Sequence, residues 1–582
     1  MNDFLFFSIF ASLPARQLCG AIEVESHCAL IGFPLARRPL ERNPQHRHFP
    51  LRWAGFRAVD CPTTLFKEFR YVRRRQARYP PDRWSPSPKS STSWEDVRRI
   101  VSLALQANAP AGIVLHFHGG LVSEASARAT AEQRLYPLYA ERSGGYPIFF
   151  IWESGFFEAP LNNLKEIANE ALFKEFMKKA AEWTLKTLPS GIGFKGAGGA
   201  SINEAKLRED FDAWFSGQRS SPPDQLELIP GTSDVEIVSK SKGAALDEED
   251  LKDNIVESIE GDPDFQDAVQ RTFNGLHPGS EPRPVSRGAG SRVSTISLVS
   301  KEAAERLFDV QTGTTKGLGP ISWIKTAKVV AGIVIRVIRR FRSGRDHGLY
   351  VTLVEEILRE LYVDKIGRTG WWDRMKGDTA DAFKSGQEYG GTAFLTELKA
   401  QLEGVIKPPR ITLVGHSTGA IYICHLLKAA AEHMPDLHFD VIFEAPAVTQ
   451  ALLAATAAEH ASRVRSFRQF AMSDQREIGD KLVPVLYLSS LLYFVSGMLE
   501  HEPDEPLAGM GRYFDKAQIY HADAFPNIAA CRRFYARYPN SLVWSPSNVG
   551  PGLGSDGCRH GDFDDADELT VASVQHILQH GF

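Results

Sequence analysis

The chain has 582 residues, of which 43% are hydrophobic and 24% charged, and its formal net charge is −4. That balance is ordinary for a globular protein, and without a basic excess there is no electrostatic footprint for nucleic acid. The six cysteines, Cys19, Cys28, Cys61, Cys424, Cys531 and Cys558, show no C-x-x-C spacing; this excludes a zinc ribbon, argues against a disulfide scaffold and leaves a reducing compartment as the simpler expectation.

Residues 1–95 are basic, proline-bearing and irregular. The apolar run 4–13 is preceded by Asn2 and Asp3, where a secretory signal would carry positive charge, so a cytoplasmic location is expected. Residues 53–60 suggest an early strand, and 79–93 have linker composition. Ser93 followed by Asp96 then reads as a helix start, with the helix over 96–106.

From there the chain alternates. Residues 111–117 form a compact apolar run ending in His118-Gly119-Gly120-Leu121, 123–142 read as a helix, 147–153 as a buried strand and 163–188 as an amphipathic helix. Strand, helix, strand, helix with turn residues between them predicts an α/β fold, a mostly parallel sheet covered by helices on both faces.

The alternation then stops. Residues 191–196 match G-x-G-x-x-G, but they follow a helix instead of a strand, so they read as a loop and not as a dinucleotide site. Residues 246–259 are acidic and helical in pattern, and 277–292 are rich in Pro, Gly and Arg. In 321–342 a helical wheel puts Lys325, Lys328, Arg336, Arg339, Arg340 and Arg342 on one face, with Val330, Ile333, Val334, Val337, Ile338 and Phe341 on the other. The favoured reading is a helix packed on the core with a solvated basic face; the rival is peripheral membrane contact. Residues 349–362 and 379–404 continue the helical pattern.

Residues 411–414 are strand-like and run into Gly415-His416-Ser417-Thr418-Gly419, after which 420–434 read as a helix. G-x-S-x-G between a strand and a helix is the sequence form of a nucleophile elbow, whose tight turn lifts a serine hydroxyl above the sheet and leaves no room for side chains at Gly415 and Gly419. Further strands are expected at 438–443, 465–472 and 541–544, and a closing helix at 568–579. Residues 482–499 carry no charge but are broken by Pro484, Ser489, Ser490, Ser496 and Gly497, so a buried segment is favoured over a membrane span.

An activated serine needs a base, and the base needs a group that holds its tautomer. His560 follows the last strand, with the small Gly561 behind it, and is the candidate base. Two aspartates compete for the acid: Asp474, favoured because it sits at a strand end, and Asp480 in D-x-x-V-P. Backbone N–H groups of Thr418 and of the 118–121 loop, with Gly120 or Leu121 beside Gly119, are the candidate oxyanion donors. No metal ligands or organic cofactor are needed.

The order Ser, Asp, His, the elbow GHSTG, the HGG loop and the His-Gly loop together resemble the α/β-hydrolase superfamily in its esterase/lipase-like branch. The segment YLSSLLYFVSGMLE is similar to pieces of uncharacterised bacterial hydrolases. The resemblance covers 96–188 and 395–582, leaving 1–95 as a separate N-terminal region and linker and 189–394 as a mainly helical insertion between core halves. It implies an α/β-hydrolase fold, a serine hydrolase acting on a small-molecule ester or lipid, and an insertion that caps the site. The alternative is a silent scaffold of the same fold that binds a partner or a membrane surface.

Overall fold

The structure, a computed structural model, describes residues 92–582 except 121, 153–157, 188–193, 196–200, 203, 217, 220–221, 224–247, 276–296, 308–322, 387–388, 485 and 516–518. The expectations for 4–13, 53–60, 79–91, Leu121, most of 191–196 and 277–292 fall outside the described residues. All described residues belong to one unit that begins at Leu65.

Six strands make the main sheet: β1 Ile113–Phe117, β2 Tyr146–Phe150, β3 Ile411–His416, β4 Phe439–Glu444, β5 Val464–Met472 and β6 Leu542–Ser545. Their order across the sheet is β2-β1-β3-β4-β5-β6, and every neighbouring pair is parallel. Successive residues face opposite sides of a strand. Leu115, Leu413, Val441 and Phe467 therefore enter one core and Val114, Val414, Ile442 and Phe470 the other. A sheet buried on both faces explains why the strands read as continuous apolar runs.

One face is covered by α1 Trp94–Gln106, with later helices α7 Gly390–Leu402, α8 Gly419–His433, α9 Gln450–His460 and α11 Pro526–Tyr535. Ser93 and Asp96 form a reciprocal capping box that starts α1, as the sequence pattern predicts. The other face is covered by residues 124–142 and the closing helix α12 Glu568–His580.

The predicted helix over 163–188 is two helices, Glu158–Ile167 and α2 Ala171–Thr187. The break falls where Glu170 accepts hydrogen bonds from the Leu298 N–H at 2.6 Å and from Tyr362 Oη at 2.9 Å. A carboxylate recruited by two distant groups wins over one more helical turn.

Insertion helices α3 Glu248–Glu260, α4 Trp323–Ser343, α5 Leu349–Leu361 and α6 Asp373–Asp381 build a third hydrophobic core with α2 and residues 478–528. Between α9 and α11 in chain order lies the short helix α10 Asp474–Gly479. The apolar face of α4 is spent inside this core: Val330, Ile333, Val334, Val337 and Ile338 are fully buried. Its basic face meets acidic partners, with Arg336 on Glu356 and Glu360 and Arg339 on Glu248. Arg340 departs from the helical-wheel expectation. It turns inward at 6% exposure, its Nη1 lying 2.7 Å from Glu355 Oε2 and 3.2 Å from Glu356 Oε1. Residues 491–499 are helical and buried, and no helix among the described residues is long and apolar enough to cross a membrane.

The insertion is joined to the C-terminal half by a buried polar network. His347 contacts Glu355 Oε1 at 2.7 Å and Asp504 Oδ1 at 3.3 Å. Asp504 also accepts from Arg345, Tyr513 and Tyr520, and fully buried Arg512 lies 3.5 Å from it. Arg512 is ringed by Tyr493, Tyr513 and Tyr520 with its guanidinium 5.4 to 5.9 Å from the ring centres.

Candidate active site

Ser417 stands in the turn between β3 and α8, at the C-terminal edge of the sheet, with φ +53°. An L-residue held in this left-handed region costs about 1–2 kcal/mol and persists only where its surroundings enforce it. Its N–H donates to the Glu444 carbonyl at 2.8 Å and its carbonyl accepts from the Ala447 N–H at 3.0 Å, so β4 braces the turn. The glycine requirement is steric. A Cβ on Gly419 would lie 2.1 Å from the Phe117 carbonyl oxygen, and one on Gly415 would lie 2.7 Å from Ile423 and 2.9 Å from the Gly419 backbone.

His560 Nε2 is 2.9 Å from Ser417 Oγ. These two residues, 143 apart in sequence, meet because the loop after β6 is tied back over the sheet edge. Arg476 on α10 donates to the Asp556 carbonyl at 2.6 Å and the Gly557 carbonyl at 2.9 Å. Asp562 Oδ2 accepts from the N–H groups of Cys558 and Arg559 at 3.0 and 2.9 Å. His416 Nε2–H donates to the His560 carbonyl at 3.1 Å. Burial, followed by the neighbouring His416, holds the His560 imidazole well below its ordinary pKa. A neutral ring with its proton on Nδ1 leaves Nε2 free to accept the serine proton.

The two candidate acids part company here. Asp480 Oδ2 accepts from the main-chain N–H of His560 at 3.0 Å. Asp474 turns away: its Oδ1 accepts from Tyr493 Oη at 2.6 Å, in the network that contains Arg512. The strand end by itself favours Asp474, but Tyr493 and Arg512 arrive from segments whose position the local sequence does not reveal. Neither carboxylate hydrogen-bonds the ring, and His560 Nδ1 is buried without a partner. Burial pushes Asp480 up to about 6 against the His560 N–H, which pulls it down.

The loop after β1 passes directly over the elbow. A Cβ on Gly119 would be 3.2 Å from Ser417 Cβ and 3.1 Å from His416 Nδ1, and one on Gly120 would be 2.8 Å from Thr418 Oγ1. Bare glycine backbone is what allows this approach. His118 fixes the loop. One nitrogen, Nδ1, lies 2.6 Å from the Gly119 carbonyl oxygen, while Nε2 accepts from the Trp152 N–H at 3.1 Å. The ring also stacks on Trp152 at 4.1 Å. Burial brings the His118 pKa down to about 4, which keeps the acceptor nitrogen unprotonated. Because a trans peptide sets N–H opposite C=O, holding the Gly119 carbonyl also fixes the direction of the Gly120 N–H. Leu121 lies outside the described residues.

Two participants, Met375 and Glu444, and the supporting role of His416 are not legible in the sequence. Met375 on α6 brings its Sδ within 2.0 Å of where a Gly120 Cβ would be, so the insertion forms part of the wall. Only the tertiary fold puts it there. His416, legible merely as the variable residue of the elbow, supports the His560 loop. Glu444, register partner of His416, is a buried carboxyl pushed well above its ordinary value by burial, then by Asp564 and Asp565. Among the described residues no group of His, Cys, Asp and Glu could hold a metal ion. Comparison with protein-family models, with curated proteins and with solved structures finds no match to this chain.

Proposed function

We propose that the chain is a serine hydrolase of carboxylic esters, built as an α/β-hydrolase. The observation that carries this reading is Ser417 in a strained left-handed turn, 2.9 Å from the Nε2 of a buried neutral histidine. Ser417 Oγ attacks the ester carbonyl carbon while its proton passes to His560 Nε2. The carbonyl electron pair moves onto oxygen, which the Thr418 and Gly120 N–H groups receive at the N-terminal end of α8. Collapse of the tetrahedral species expels the alkoxide, which takes the proton from His560, and water then repeats the sequence on the acyl-serine. Asp480 serves by fixing the main chain of His560. Met375, whose sulfur reaches the glycine loop, supports an apolar acyl group or lipid as substrate. A thioester or amide would use the same groups.

The rival reading is a silent scaffold of the same fold, and the observation that favours it is the unpartnered His560 Nδ1. Labelling with a fluorescent fluorophosphonate decides between them. The hydrolase reading expects labelling of the natural protein and its loss in both Ser417→Ala and His560→Ala. A folded natural protein that does not label, or that labels equally in Ser417→Ala, sinks it.

A further inference from the structure

Thr418 enters the reading above through its backbone, yet its side chain is the odd group at this site. The residue is 1% exposed, and Oγ1 has no hydrogen-bond partner. It does not cap α8, although it occupies the cap position. Leaving a buried hydroxyl without a partner is unfavourable, and such a group calls for a reason. Its position supplies one. Oγ1 lies 2.8 Å from where a Cβ on Gly120 would stand, beside Met375 Sδ at 2.0 Å from the same point, so it faces the glycine loop at the residue that carries the second candidate donor.

We propose that the Thr418 hydroxyl is a third oxyanion donor, left unpaired in the resting protein because its partner is the charge that develops on the substrate carbonyl. The inference rests on the serine-hydrolase reading. The chemistry asks nothing new of the covalent steps. The hydroxyl proton stays on Oγ1 throughout and rotates to point at the oxyanion, while the serine proton still travels to His560. The β-branched side chain has few χ1 choices, so Oγ1 is already in place and only its proton turns, and a contact made as the charge develops favours the transition state over the ground state.

The test compares the natural protein with Thr418→Val, which keeps the shape and removes the donor, and with Thr418→Ser, which keeps the donor. The rate constant for fluorophosphonate labelling of Ser417 is read for each, with kcat and KM for p-nitrophenyl butyrate. Thr418→Val is expected to lower kcat about 100-fold, the scale of losing one such donor, with KM little changed and labelling slowed; Thr418→Ser should recover most of the rate. The melting temperature of Thr418→Val should not fall, because the substitution removes an unsatisfied group. A Thr418→Val protein that labels and turns over at the natural rate overturns the inference. So does a Thr418→Ser protein as slow as Thr418→Val, or a rate loss that appears only with a fall in melting temperature. Absence of any labelling in the natural protein would instead remove the hydrolase reading beneath it.

Discussion

Replacing Asp504 by Asn tests how the insertion is joined to the sheet domain. The substitution keeps size, shape and tolerance of the positive φ of 58° at this position, and deletes only charge. Asp504 is fully buried. Burial alone would raise its pKa, but Arg512, the hydrogen bond from His347 and Arg345 together hold it well below the carboxylate range. Once the charge is gone, Arg512 keeps the Asp346 carbonyl at 3.0 Å, Tyr520 Oη at 2.9 Å and three aromatic faces, but no carboxylate within ion-pair distance among the described residues. A buried charge stripped of its partner costs about 3–5 kcal/mol. The assay is urea unfolding followed by tryptophan fluorescence, with the double variant Asp504→Asn/Arg512→Met completing a thermodynamic cycle. The double variant should be less destabilised than the sum of the single ones by more than about 1 kcal/mol. A single-variant loss below about 1 kcal/mol, or strict additivity, would refute the argument that Asp504 neutralises Arg512 within this buried network.

Other outcomes follow from the site. Gly419→Ala should cost more than about 3 kcal/mol and abolish labelling, because the added Cβ meets backbone at Phe117 and not a side chain that can swing away; a melting temperature within a degree or two of the natural protein would contradict it. For His118 the folded pKa is about 4 against an ordinary 6.5, so the unfolded chain binds the extra proton first. Stability is then fully present above pH 6.5 and lost as pH falls towards 4, by at most about 3 kcal/mol from this residue. His118→Gln should flatten that part of the stability profile, and an unchanged slope would speak against it. Asp480→Ala, which removes the acceptor for the His560 N–H, should slow labelling about tenfold or more, whereas Asp474→Ala, which frees Tyr493 Oη, should mainly lower stability; the reverse order would restore Asp474 to the site. The acid limb of the labelling rate should lie below pH 6.5, since burial and His416 keep His560 neutral. A midpoint above 7 would be incompatible with that environment.

Much of the molecule was legible along the chain. The strands of the sheet appear in sequence as largely apolar runs, because a sheet buried on both faces needs apolar residues at most positions. The elbow was legible for a harder reason: a backbone that passes 2.1 Å from a would-be Cβ at Gly419 admits only glycine there. Ser93 with Asp96 wrote the start of α1 in the same local language. What the sequence left undecided depends on side chains that meet from afar. Asp474, favoured by its strand end, and Asp480 both stand as acids until Tyr493 draws the first away and the His560 N–H takes the second. Arg340 sits on the basic face of an isolated helix, yet it is buried because Glu355 and Glu356 wait on the neighbouring helix. Glu170 breaks a helix whose periodicity says it should continue, for partners more than a hundred residues away. Met375 reaches the glycine loop only because the insertion folds back onto α8. Local sterics and periodicity are properties of neighbouring residues and can be read in order; charge pairing and the walls of a site belong to pairs of segments, and only the tertiary structure decides them.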